Sequence, residues 1–127
     1  MAVKKIVKPA KGAPAVGPYN QGVRSGDLLF CAGQIPIDPG TGNLVTGDIK
    51  AQTQRVLENV KAILEDQGLT FANVVKSTVF LTNLADFAAM NEMYAKYFTA
   101  DFPARSTIQV AGLPKGANVE IEVIAHY

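Results

Sequence analysis

Between Asp48 and Gly68 the apolar residues of this chain stop alternating and fall at helical spacing, at Ile49, Val56, Leu57, Val60, Ile63 and Leu64. Asp48 suits a side-chain cap on the first turn and Gly68 a stop after the last, so the spacing predicts one long amphipathic helix. The next segment, NVVKSTVFLT at 73–82, has the β-branched content of a strand. A helix feeding a strand in this way is the second half of a βαβ-like unit, and it requires a sheet already begun by the residues before it.

The flanking sequence supplies that sheet. Residues 19–25 and 28–35 read as two strands joined at Gly26-Asp27, with a short extended piece near Lys5–Lys8 before them. DPGTGN at 38–43 is a turn cluster that returns the chain through Leu44-Val45. A second helix is predicted from about Asp86, with Phe87, Met90, Tyr94, Tyr97 and Phe98 on one stripe and Asn91 among them. The segments 104–112 and 118–126 read as strands joined by a Leu-Pro-Lys-Gly-Ala turn, hence as a hairpin. With 127 residues, 48% hydrophobic and 18% charged, and no repeat or linker-like tract, the expectation is one α+β domain. Its mixed sheet has about six strands, with both helices on one face.

That leaves a second face whose composition matters. Val119, Ile121, Val123 and Ala125 form an unbroken apolar row for the helix-covered core, and Glu120, Glu122, Ile124 and His126 form the row opposite. In 104–112 the corresponding outer row is expected to be Arg105, Thr107, Gln109 and Ala111, and in 74–82 Lys76, Thr78 and Phe80. Polar without being highly charged, such a face suits burial against other copies of the chain.

Several function classes are disfavoured by composition. Twelve basic residues against eleven acidic ones provide no global field for nucleic acid or an anionic membrane. The lysines at 4, 5, 8 and 11 read as a solvated terminus. No stretch has the make-up of a signal peptide or a membrane span, so a cytoplasmic protein is expected. Cys31 is the only cysteine and His126 the only histidine, so neither a disulfide nor a closed Cys/His zinc site forms within one chain, and no metal or cofactor is expected. Cys31 lies in the apolar run LLFCAG and reads as a packing group.

The remaining chemistry rests on charged side chains within strands. Arg105 opens the β-like segment FPARSTIQV, and Glu120 stands in the last strand. Read by pattern alone, the two are ordinary solvated sheet charges. If partly buried, each needs a partner, because an unpaired buried charge is strongly destabilising. The expected hairpin register sets Val110 opposite Glu120, leaving Arg105 on the same face but roughly 17 Å away at about 3.4 Å per residue. A symmetric oligomer would instead bring Arg105 of one subunit towards Glu120 of the next. A guanidinium fork suits a carboxylate, and a carboxyl group facing it across a gap suits acid–base work on a small acid without a cofactor.

GPYNQ (17–21), AGQIP (32–36), FPARS (102–106) and VEIEVIA (119–125) together resemble the Rid family of reactive intermediate deaminases, most closely the RidA subgroup, over essentially the whole chain. The resemblance implies a chorismate-mutase-like fold, a homotrimer with sites between subunits, and hydrolysis of enamines and imines such as 2-aminoacrylate and 2-aminocrotonate to 2-keto acids and ammonia. It implies that Arg105 holds the substrate carboxylate and Glu120 activates water. Tyr19 would line the pocket, Gly33 would offer backbone, and Asn91 and Thr107 would lie in contact. RidA members often carry serine where this chain has Ala32 and cysteine where it has Thr107, which puts the preferred imine in question. Two other readings stay open: a small-carboxylate sensor without turnover, and the RNA cleavage attributed to relatives under a translation-inhibitor label.

Overall fold

The protein is described by a computed structural model over residues 3–127. Six strands form one mixed sheet: β1 (Lys5–Val7), β2 (Gly22–Ser25), β3 (Leu28–Gln34), β4 (Val74–Leu81), β5 (Ala104–Gln109) and β6 (Val119–His126). Their spatial order is β1-β2-β3-β6-β4-β5. Helix α1 (Ile49–Asp66) lies between β3 and β4 in the chain, and α2 (Phe87–Tyr94) between β4 and β5.

The local signals act as their chemistry requires. Asp48 Oδ1 accepts from the Ala51 N–H at 2.8 Å, capping α1. Gly68 adopts φ +71°, which lets the Leu69 N–H return to the Leu64 carbonyl at 2.9 Å and close the helix. In DPGTGN the Gly40 N–H donates to Asp38 Oδ1 at 2.8 Å, and the returning Leu44 bridges to Ile37. The ends of several elements differ from expectation. β2 starts at Gly22, leaving Tyr19 in the preceding loop, and β5 stops at Gln109. α2 stops at Tyr94 instead of running on through Phe98, although the Phe98 N–H still reaches the Tyr94 carbonyl at 3.0 Å.

The expected hairpin between the last two strands does not form. β5 pairs in parallel with β4 at the sheet edge, whereas β6 inserts antiparallel between β3 and β4. The βαβ-like unit from β3 through α1 to β4 is therefore split, with β6 in the gap; β4-α2-β5 is an adjacent parallel unit. Both helical connections step the same way across the sheet, and right-handed crossovers stepping the same way leave both helices on one face. Val56, Leu57, Val60, Ile63 and Leu64 of α1 and Met90 of α2 pack there with Val79, Leu81, Val119, Ile121, Val123 and Ala125. Each such fully buried aliphatic side chain contributes on the order of 1.5–3 kcal/mol.

The β4–β5 register also reverses the expected facing of β5. Arg105 stands beside Ser77, which is fully buried beneath α2. Arg105, Thr107 and Gln109 therefore lie on the helix side, with Gln109 Oε1 accepting from the Leu84 N–H at 2.8 Å, while Ala111 falls beyond the strand. Ser106 and Ile108 join Lys76, Thr78 and Phe80 on the open face. Glu120, Glu122 and Ile124 of β6 share that face as expected, as does Phe30 of β3, so its apolar side chains are left uncovered in the single chain.

Candidate active site

Arg105 reaches its position because β5 is an edge strand with α2 packed beside it. Its guanidinium carbon lies 4.7 Å from the centroid of the Tyr94 ring and 5.6 Å from that of Phe87. Arg105 and Tyr94, with Asn91, Phe98, Phe102 and Pro103, line an open cleft of about 490 Å³. Among the described residues the only ion pair is Lys50 with Glu92, so no carboxylate occupies the Arg105 fork. Thr107, two residues along the same face, has a buried hydroxyl without a hydrogen-bond partner.

Glu120 occupies a second cleft, of about 320 Å³, with Val16, Tyr19, Ala32, Gly33, Ile35 and Pro114. An extra residue in β3 shifts the β3–β6 register between Cys31 and Gln34. That bulge carries Gly33 under the Glu120 carboxylate. The Tyr19 hydroxyl accepts from the Val16 N–H at 3.2 Å, which folds the ring over its own loop at the cleft wall. Burial raises the pKa of Glu120, and the charge of Glu122 adds to the effect, so the group holds its proton to higher pH than an ordinary glutamate.

Two buried amides of α1 hold the walls of this second cleft. Asn59 Nδ2 donates to the carbonyls of Ile35 at 3.2 Å and Ile37 at 2.9 Å. Gln52 Oε1 accepts from the Asn118 N–H at 3.2 Å, anchoring the entry to β6 next to Glu120. Cys31 is buried close by, and burial pushes its thiol up to about 12, so it stays protonated near neutral pH and fits the packing role. No three His, Cys, Asp or Glu side chains converge as a metal-binding group among the described residues.

The expected placement of Arg105 and Glu120 on one face of adjacent strands is overturned. Arg105 stands beside Ser77 and Glu120 beside Phe80, with β4 between them, and positions three apart on a strand point to opposite faces. Within one chain the structure therefore gathers the expected residues as two separate groups. Arg105 and Asn91 share the first cleft, with Thr107 further along β5, and Tyr19, Gly33 and Glu120 share the second. Sequence reading missed Tyr94 and Phe98 as cleft walls because their helical spacing marked them as core. It also missed Pro114, because the turn holding it was read as a hairpin loop.

Residues 10–127 match the family described as Endoribonuclease L-PSP. The chain belongs to this family. A RutC family protein of Pyrococcus abyssi is 50% identical over 97% of this chain and 97% of its own length. A goat (Capra hircus) protein named 2-iminobutanoate/2-iminopropanoate deaminase is 45% identical over 97% of this chain and 90% of its own, which bears out the Rid resemblance of the four motifs. The crystal structure of E. coli TdcF with bound serine superimposes with a TM-score of 0.92 at 45% identity, covering 97% of this chain and 98% of that one. The mixed sheet with both helices on one face is thus the fold of this family.

Proposed function

We propose that the protein hydrolyses small 2-imino and 2-enamino acids, such as those derived from 2-aminoacrylate and 2-aminocrotonate, to 2-keto acids and ammonia. The observation that carries this reading is Arg105, a guanidinium fork held in an open cleft with no carboxylate of its own among the described residues. Such a fork suits the carboxylate common to all these substrates. The relative named as an imine deaminase and the one holding bound serine point to the same size and class of molecule.

In the proposed reaction the enamine first tautomerises to the imine. Glu120 takes a proton from water as the oxygen adds to the imine carbon and passes it to the nitrogen, giving a neutral carbinolamine. The carbinolamine then collapses: Glu120 moves the hydroxyl proton to the nitrogen, the carbonyl forms, the C–N bond breaks, and ammonia leaves with Glu120 again a carboxylate. Atoms and charge balance without redox change, so the step asks for no oxidant or cofactor.

Since Arg105 and Glu120 face away from each other within one chain, the complete site in this reading combines Arg105, Asn91 and Thr107 of one subunit with Tyr19, Gly33 and Glu120 of the next. A homotrimer, burying the open sheet face around Phe30 and Ile108, meets that requirement. The test is to generate 2-aminoacrylate with a dehydratase and follow pyruvate formation with and without the protein. Acceleration supports the deaminase. Binding of pyruvate without acceleration would leave a carboxylate sensor instead.

A further inference from the structure

The support beneath Arg105 extends well past its own cleft. Tyr94 is 6% exposed, and its hydroxyl is 2.7 Å from Ser77 Oγ, which has no exposure at all. Ser77 is also the β4 residue in register with Arg105, so the same strand position fixes both the arginine backbone and the tyrosine tip. Phe98 stacks on the Tyr94 ring at 4.2 Å and 18°, and Phe71 packs edge-on against Phe98 at 4.9 Å. A column of three aromatic rings, Phe71, Phe98 and Tyr94, thus rises through the molecule and ends at the guanidinium.

Resting on the deaminase reading above, we propose that Tyr94, locked by Ser77, is a positioning residue that sets the orientation of Arg105 for the substrate carboxylate. A long side chain on an edge strand has many rotamers, and a carboxylate partner could restrain it only by occupying the N–H groups the substrate needs. The face of an aromatic ring attracts the cation while leaving the in-plane N–H edges free. A ring that is itself buried, stacked and hydrogen-bonded cannot move with the arginine, so it defines one orientation instead of following several. Burial raises the Tyr94 pKa against the opposing influence of Ser77 and Arg105, and the ring therefore faces the cation as a neutral phenol near neutral pH.

The test compares Tyr94→Leu, Tyr94→Phe and Ser77→Ala with wild type, using calorimetric binding of pyruvate, KM and kcat for 2-aminoacrylate hydrolysis, and the melting temperature. Tyr94→Leu is expected to weaken pyruvate binding and raise KM about tenfold, with kcat within about threefold of wild type. Tyr94→Phe and Ser77→Ala each keep the ring but remove the bond that locks it, so each should weaken pyruvate binding about threefold, less than Tyr94→Leu. A purely structural role would lower the melting temperature of all variants without separating KM from kcat. If Tyr94→Leu does not fold, the Ser77→Ala and Tyr94→Phe variants carry the same test, and unchanged affinity in both overturns the inference. Wild-type protein that neither binds pyruvate nor accelerates hydrolysis would overturn the deaminase reading itself, whereas an active wild type with a folded, unaffected Tyr94→Leu overturns this inference alone.

Discussion

Gly33 lies directly beneath the Glu120 carboxylate, so close that a Cβ at Gly33 would sit 2.7 Å from Glu120 Oε2 and 2.8 Å from its Cδ. Gly33 does not have a positive φ, so the space rather than the backbone conformation requires glycine. Gly33→Ala is expected to fold but to displace the carboxylate, lowering kcat on the order of tenfold or more, since a shift of an ångström in a reacting group is costly. Deaminase kinetics alongside a thermal melt check this: an active Gly33→Ala enzyme would show that the carboxylate can move freely.

Arg105 makes aromatic contacts but no ion pair, so its replacement should affect the ligand more than the fold. Arg105→Ala is expected to lower kcat/KM on the order of 10²-fold, the scale of a lost charge-assisted bidentate contact, while the oligomer persists. Kinetics with light scattering on the same sample decide between loss of binding and loss of assembly.

Glu120 has a pKa raised mainly by burial, which sets two pH signatures. Activity that needs the ionised carboxylate should fall on the acid side with an apparent pKa above the ordinary glutamate value of about 4.3. For stability, the native state favours the protonated acid; this contribution is fully present below the unfolded-state pKa and lost as pH rises through the folded one. Glu120→Gln removes the ionisation, so its melting temperature relative to wild type should be higher at pH 7 than at pH 4. The variant should still bind pyruvate yet turn over poorly, and near-normal rates would remove the acid–base role.

Asn59 is fully buried and is the only side chain holding the Ile35 and Ile37 carbonyls among the described hydrogen bonds. Asn59→Ala should destabilise the protein by roughly 1–3 kcal/mol, because the Ile37 carbonyl loses its donor while the Ile35 carbonyl keeps the Ile37 N–H. Chemical denaturation measures the loss, and a change below about 1 kcal/mol would mean that the loop finds other partners.

Phe30 is 41% exposed in the single chain, on the open face that the proposed trimer buries. Phe30→Glu is expected to release protein of the 13.5 kDa chain mass where wild type runs at about three times that, and to abolish activity with the assembly. A monomeric but fully active Phe30→Glu protein would contradict the intersubunit site.

Much of this molecule is legible along the chain, where the forces are local. The cap at Asp48, the stop at Gly68, the Asp38–Asn43 turn and the α1 stripe depend on atoms a few residues apart, and each formed as read. The four motifs marked the family, and the lone cysteine and histidine limited the available chemistry. Tertiary structure alone decided which strand lies beside which. The apolar row of β6 required one covered face but carried no address for its neighbours, and insertion between β3 and β4 won over the adjacent hairpin because it buries both edges of that row. Tertiary structure also decided the face of β5, where Arg105, Thr107 and Gln109 alternate with Ser106 and Ile108. Neither row is clearly apolar, so alternation could not choose between them, and packing of α2 against Ser77 and Arg105 settled it.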